Sequence, residues 1–263
     1  MVLYKYGYAP LASVALAALS LWAALTTSAQ VQTTAHPAAI LVELFTSEGC
    51  SSCPPADELL RQISGRKTAD GQLVIGLSEH VSYWNGLGWK DPYSSEQYTN
   101  RQNGYGAHFG LDSVYTPQMV VNGREQFIGS DRGALQAALT AETGRKGIGL
   151  HIISAQVTGK DVAFSYSAEG LPVNSSLQLM AAIADDTDRS NVLRGENSGR
   201  ALTHVSVARV LAPLGALHAT EGHTVSLPLP PSFTGNTGVG HHLVLFAQQT
   251  GDGAVLGIDA KPI

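Results

Sequence analysis

The chain has 263 residues, 44% hydrophobic and only 14% charged, with a formal net charge of −5. That length supports one large or two ordinary domains with real cores. The mildly acidic balance, without a basic stretch, leaves no electrostatic footprint for nucleic acid.

Residues 1–29 have the layout of a secretory signal peptide. Lys5 gives a weakly positive start, 11–25 (LASVALAALSLWAAL) is an apolar run, and TTSAQ offers small residues with a cut after Ala29. The run is short for a membrane span; an uncleaved N-terminal anchor is the alternative. No cysteine follows it to carry a lipid, and no later segment reaches spanning length free of charges or turn residues. The expected location is periplasmic or secreted, without a permanent membrane anchor.

From 38 to 146 strand and helix patterns alternate. AAILVELF (38–45) is a short continuous apolar run, the mark of a strand buried on both faces. Then come the only two cysteines, Cys50 and Cys53, and PPADELLRQI, where Ala56, Leu59, Leu60 and Ile63 form one helical face. Pro54 and Pro55 fit such a helix only in its first turn, so the cysteines lie at a helix N-terminus. QLVIGLS (72–78) is a second buried strand, which makes 40–78 one βαβ unit.

The stretch 80–110 is less regular. HVSYWNGLGWKDPY mixes aromatic and turn residues, and SSEQYTNRQNGYGAHFG predicts a helix that Gly104 and Gly106 weaken. QMVV, Asn122-Gly123 and EQFIG predict a hairpin, and SDRGALQAALTAE a helix capped by Ser130 or Asp131. Beyond Gly149 seven runs alternate apolar and polar residues: 150–157, 161–168, 176–184, 203–211, 223–229, 241–249 and 254–260. They predict a separate antiparallel β-sandwich over 148–263, after a first domain at 30–147.

The cysteine pair has three readings. Haem attachment is excluded because Pro54, not His, follows Cys53. A copper or zinc clip would add a histidine to Cys50 and Cys53, with His80, His108, His204 and the His241-His242 pair as the candidates. A plain structural disulfide would close only a four-residue segment, where the loop-entropy gain is smallest. A redox pair has a mechanism: the thiolate attacks, and a helix N-terminus stabilises that anion. Cys50 would then be the exposed nucleophile and Cys53 the resolving thiol. Ser51 and Ser52 would add hydrogen bonds to a substrate.

Strand, C-x-x-C, helix, strand, then TP, hairpin and helix resembles the thioredoxin fold, and VYTPQMVVNGREQFIGSDRGALQAAL is similar to the cis-proline segment of periplasmic DsbA-type oxidoreductases. More narrowly, VELFTSEGCSSCPPAD, HVSYWNGLGWKDPYSS, YTPQMVVNG and GENSGRALTHVSVAR resemble a bacterial family of secreted, thioredoxin-like proteins known only as a domain of unknown function. The resemblance spans about residues 40–209 and implies an α/β thioredoxin-like domain, with an insertion near 80–110, ahead of the β-sandwich. It also implies that Pro117 is a cis-proline beside the cysteines, that Thr116 orients a substrate backbone, and that Glu43 is a buried acid relaying the proton of Cys53. Glu43 pointing to solvent at a sheet edge is the alternative. Gly49 before the first cysteine and Ser51-Ser52 between the two depart from the usual thioredoxin motif.

His80 ends the second strand, where it would steady the thiolate or join a metal, or simply be a loop histidine. Trp84, with Trp89 and Tyr93, would line a substrate groove or pin its loop to the core. RGENSGRALTHVSV (194–207) packs against the redox face or binds a partner. His241 and His242, adjacent on a strand, should point to opposite faces. The sequence therefore predicts an exported thiol–disulfide oxidoreductase that needs no cofactor beyond its cysteines and acts on protein or small-thiol disulfides. The alternatives are a metal-binding module and a secreted binding protein with an inert disulfide.

Overall fold

A computed structural model describes residues 1–3, 7, 39–173, 175–230 and 240–263. Most of the expected export signal lies outside the described residues. Among them no helix is long and apolar enough to cross a membrane.

The chain begins as the apolar pattern predicts. β1 (Ile40–Thr46) leads into α1 (Pro54–Ile63), which returns to β2 (Val74–His80). β1 and β2 pair in parallel from Ile40↔Val74 to Thr46↔His80, and both are buried along their whole length. Alternate residues of β1 serve two cores. Ile40, Val42 and Leu44 pack with Ala56, Leu59 and Leu60 of α1, whereas Leu41 and Phe45 face the side where α2 (Glu96–His108) lies. Ser95 caps α2 by accepting from the Gln97 N–H. β3 (Gln118–Val121) and β4 (Glu125–Ile128) form the predicted hairpin, and Asp131 caps α3 (Arg132–Ala141). Asn122 and Gly123 both take positive φ, 46° and 65°, at the centre of the turn that the Arg124 N–H closes on the Val121 carbonyl. The Asn122 carboxamide ties this turn to the core, accepting from the Leu41 N–H at 2.8 Å and donating to Glu142 at 2.9 Å.

The expected division into a thioredoxin-like α/β domain and a separate β-sandwich is overturned. β7 (Leu177–Asn191), β8 (Ala201–Ala216), β10 (His241–Gln249) and β11 (Val255–Pro262) join the first strands in one mixed eight-stranded sheet, ordered β11-β10-β7-β8-β2-β1-β3-β4. Only β5 (Gly149–Thr158), β6 (Asp161–Glu169) and β9 (Thr220–Pro228) form a second sheet, of three strands. The described residues from 39 onward form one compact unit. The physical reason lies in the runs LMAAIA and LVLFA, which are continuously apolar rather than alternating. Such strands need cover on both faces. One face of β7 and β10 (Leu179, Ala181, Ile183, Leu243, Leu245) packs on Val162, Phe164 and Leu227 of the small sheet. The other face (Met180, Ala182, Val244, Phe246) shares a core with Leu41, Leu77 and Tyr98.

The joint between the two parts is narrow: β2 meets β8 at the single register position Ser78↔Val207. Just before it Ser206 has a φ of 50°, and the β7–β8 ladder shifts register between Ile183 and Ala184. A bulge of this kind re-aims a strand, and here it turns the start of β8 toward the ends of β1 and β2.

At Gly123 a Cβ would lie 2.0 Å from the Gly253 carbonyl oxygen, and the positive φ disfavours any side chain. Gly123→Ala is expected to destabilise the fold by about 1–3 kcal/mol, read as a lower urea midpoint with an unchanged slope.

Candidate functional site

The turn that leaves β1 carries the cysteines. The Cys50 N–H donates to the Ser47 carbonyl at 3.1 Å and the Cys53 N–H to the Cys50 carbonyl at 3.2 Å, so the segment is wound before the helix begins. Cys50 and Cys53 form a disulfide, with Cα atoms 5.4 Å apart. Cys53 is the N-cap of α1, followed by prolines at the first two helical positions. These prolines have no N–H, so two of the donors that a helix N-terminus usually presents are missing here. The next two N–H groups, of Ala56 and Asp57, turn back to the Cys53 carbonyl.

Neither cysteine is exposed, at 0% each, while Ser51 and Ser52 between them are open to solvent. Cys50 is thus not the exposed thiol expected from sequence. The Ser52 hydroxyl lies 3.3 Å from Cys50 Sγ. Several predicted site residues gather round this turn. Trp84 packs over Gly49, where a Cβ would come 3.1 Å from Trp84 Cβ, a close approach that accounts for glycine before the first cysteine. The Trp84 indole N–H donates to Thr116 Oγ1 at 2.8 Å, and the Thr116–Pro117 peptide is cis. Pro117 and Ala56 both border Gly129, so this loop lies against the first turn of α1.

Below the turn lies a buried set of charges. His80 Nδ1 is 2.7 Å from Asp91 Oδ2, and that carboxylate also accepts the N–H groups of Glu48 (2.8 Å) and Tyr93 (2.9 Å). Burial pushes Asp91 up, but the His80 ring and these donors outweigh it and hold the acid below its ordinary value. The His204 ring sits 4.7 Å from that of His80, edge to face. Its Nε2 is 3.4 Å from Glu48 Oε1 and its Nδ1 is 3.7 Å from Asp57 Oδ1. Burial lowers its basicity, but the two carboxylates more than compensate, and its pKa rises to about 10. His204 is therefore an imidazolium at neutral pH, held between the acid two residues before Cys50 and the acid four residues after Cys53. Glu48 further accepts from the Trp89 indole at 2.7 Å and from the Ser190 hydroxyl, while Asp57 accepts from Thr46 Oγ1 at 3.0 Å.

Sequence reasoning singled out His80 and listed His204, but missed Glu48 and Asp57. The signal was an acid on each side of the cysteines within one short motif. Glu43, the acid it chose, is fully buried rather than at a solvent edge. It lies on the face of β1 opposite α1. Arg101 Nε donates to it at 2.5 Å and the Tyr105 hydroxyl at 2.6 Å, and Arg101 reaches on to Gln248 at 3.0 Å. Both of these partners belong to α2. Beside it Glu79 is also fully buried, 3.6 Å from Arg101 Nε, with neither carboxyl oxygen in a well-formed hydrogen bond. Burial first, then the Glu43 charge, raises its pKa well above 4.5.

The two cysteines are bonded to each other, and His80 Nδ1 is taken by Asp91. Among the described residues no group of three or more His, Cys, Asp or Glu side chains is arranged to hold a metal ion. His241 and His242 meet Asp185 and Asp186 separately, at 2.7 and 2.6 Å.

Residues 41–248 match the family described as a protein of unknown function, DUF1223. The chain belongs to this family. A crystal structure of a protein from Agrobacterium tumefaciens is similar at 30% identity and a TM-score of 0.62, covering 85% of this chain and 94% of that one. A DUF3823 family protein from Bacteroides ovatus aligns at 8% identity and a TM-score of 0.30, over 44% of this chain and 53% of that one, which is too distant to carry an argument. No curated protein matches. The finer relationship to thioredoxin and DsbA-type enzymes expected from sequence is not among these findings. What holds is a DUF1223 chain with a C-x-x-C disulfide.

Because burial and the Glu43 charge raise the folded pKa of Glu79 well above 4.5, its ordinary value, Glu79 lowers stability as pH rises from that value toward its raised folded pKa. Glu79→Gln is expected to remove that loss. The measurement is the urea midpoint of both proteins at pH 4 and pH 7; an equal decline in the two would contradict the assignment.

Proposed function

We propose that the Cys50–Cys53 disulfide is a thiol–disulfide exchange site, and that the protein passes oxidising or reducing equivalents to partner thiols. The observation that carries this reading is the juxtaposition of the pair with a buried cation. The disulfide sits where the parallel strands β1 and β2 end, at the start of α1, and His204 is held as an imidazolium between the acids that flank it. The carboxyl ends of parallel strands are where α/β sheets place their ligands.

In the oxidising direction a partner thiolate attacks Cys50 Sγ, the Cys50–Cys53 bond breaks, and Cys53 leaves as a thiolate. A second partner thiol then displaces Cys50 from the mixed disulfide. The partner loses two electrons and becomes a disulfide, while Cys50 and Cys53 gain them and take up the two protons that the partner thiols release. With two helix-terminal donors replaced by prolines, His204 and the helix dipole are the fixed positive charges left to favour a thiolate. The Trp84–Thr116–Pro117 surface lies where it can line the approach, and Ser51 and Ser52 form its exposed tip. The supply needs no organic cofactor. Protein or small-thiol disulfides are the partner class, and an export signal at 1–29 would deliver the chain to a compartment where the disulfide persists.

The inert-disulfide alternative draws on one observation, the complete burial of both sulfurs. It can be told apart by measurement. The exchange reading expects a reduction potential above about −270 mV and a reactive thiol pKa below about 8, both read by pH-dependent alkylation in thiol redox buffers. His204→Gln should raise that thiol pKa by roughly one unit. A potential below about −300 mV, with thiol pKa values insensitive to His204→Gln, marks a structural bridge and overturns the proposal.

A further inference from the structure

Where β1 begins, at the end of the strand away from the cysteines, a small cleft opens to solvent. The segment before β2, the β3–β4 turn, the residues after α3 and the start of β11 meet there. Gln72, Asn122, Arg124, Glu142, Arg145 and Lys146 supply its polar lining. The seven residues of β1, roughly 20 Å of strand, separate this cleft from the cysteine turn. Over the whole chain acids outnumber Lys and Arg by 21 to 16, yet the cleft is lined by three cations and one acid.

Most of these groups are already engaged. The Asn122 carboxamide bonds to the Leu41 N–H and to Glu142 Oε2. Glu142 Oε1 lies 3.1 Å from Arg145 Nε, which also donates to the Ala141 carbonyl at 3.0 Å. Two groups differ. Gln72 is 6% exposed; its Nε2 donates to the Glu142 carbonyl at 3.2 Å, which fixes the amide orientation, and its Oε1 is buried without a hydrogen-bond partner. Arg124 Nε is buried too, and the carboxylate oxygen it approaches, Glu142 Oε1, is 3.9 Å away, beyond hydrogen-bond reach. One cleft thus holds a buried acceptor and a buried charged donor, each with its bond unmade, and a buried polar group left so carries its full desolvation penalty.

We infer that this cleft binds a small oxyanion that carries its own hydroxyl, of the hydrogen phosphate class. A guanidinium is a planar fork that pairs with two oxygens of such an anion; Arg124 supplies it, and Arg145 and Lys146 add positive charge at the rim. Gln72 Oε1 can only accept, so it takes the ligand's O–H. Glu142 likewise repels a bare ligand oxygen and tolerates one that carries hydrogen. The carboxyl end of α3 disfavours an anion, but Arg145 on the Ala141 carbonyl and Gln72 on the Glu142 carbonyl already answer it. Sulfate, ionised on every oxygen, meets the donors but leaves Gln72 Oε1 unpaired.

The test titrates inorganic phosphate, with sulfate as the control, into the full oxidised chain at neutral pH and low ionic strength. Binding is read from the NMR shifts of the backbone amides that line the cleft. Phosphate is expected to bind with a Kd of about 1 mM or tighter, and sulfate at least tenfold more weakly. Arg124→Lys keeps the charge but loses the fork, and should weaken phosphate at least tenfold; Lys146→Gln, at an exposed position, should weaken it less. Arg124 Nε has no hydrogen bond to lose, so the urea midpoint of Arg124→Lys without phosphate should match that of the parent. If that variant fails to fold, the comparison of phosphate with sulfate on the parent decides the matter. No saturating shift up to about 20 mM phosphate means that water alone fills the cleft, and overturns the site. Equal affinities for sulfate and phosphate overturn the hydroxyl assignment, and parent-like binding by Arg124→Lys overturns the fork. None of these readings involves the disulfide, so they stand apart from the exchange proposal.

Discussion

The His204 imidazolium held between Glu48 and Asp57 is the interaction on which the rest of this structure depends. An unpaired buried charge costs several kcal/mol, whereas a paired one is tolerated when its partners are fixed. Here the partners sit on both flanks of the cysteine turn, and the histidine comes from a strand about 150 residues further along the chain. Meeting that requirement brings the start of β8 to the ends of β1 and β2. The positive φ of Ser206, the register shift at Ile183/Ala184 and the single Ser78↔Val207 pairing are the backbone's means of doing so. Once β8 is there, β7, β10 and β11 follow by ordinary antiparallel pairing, and what the pattern divides into two domains becomes one sheet.

A second buried charge set closes the same joint from the other face. Arg101 on α2 is paired to Glu43 on β1 and reaches Gln248 on β10, with its guanidinium over the rings of Tyr105 and Phe246 at 5.0 and 5.3 Å. Burial and the Glu43 charge both push the Glu79 pKa up, which favours its protonated form and limits the negative charge buried beside the one arginine. The insertion at 80–110 is therefore part of the core. Its tryptophans and Asp91 hold the cysteine turn, and its helix holds the two parts of the sheet together.

These constraints shape the chemistry at the disulfide. A C-x-x-C pair at a helix start ordinarily draws on the free N–H groups of the first turn. With prolines at two of those positions, positive charge arrives from a side chain that the tertiary fold delivers, and a loop from the same pair of strands bonds to the main chain of the turn. The ion-paired His204 and the bonds of the 192–200 loop to the cysteine turn are thus two consequences of one topological fact, the arrival of the β7–β8 hairpin at the end of β1.

Much of the local structure was legible in the residues. The continuous apolar run before the cysteines, the paired prolines after them, Asn122-Gly123 and Asp131 each specify a strand, a helix start, a hairpin turn and a cap through short-range sterics and hydrogen bonding. Such effects act within a few residues. The cysteine pair and the loop containing Thr116-Pro117 were visible for the same reason. Sheet membership was not, because a period-two or continuously apolar run states which faces are buried but not which neighbour covers them. Glu43 shows the same limit: its burial could be anticipated, but its partner Arg101 lies 58 residues away. Glu48, Asp57 and His204 look unremarkable in the sequence and become an ion-paired set only when β8 crosses to β2. The sequence alone determined the elements and the position of the cysteine pair. The tertiary structure decided their charge environment and their cover, because electrostatic and packing partners are chosen by distance in space and not by distance along the chain.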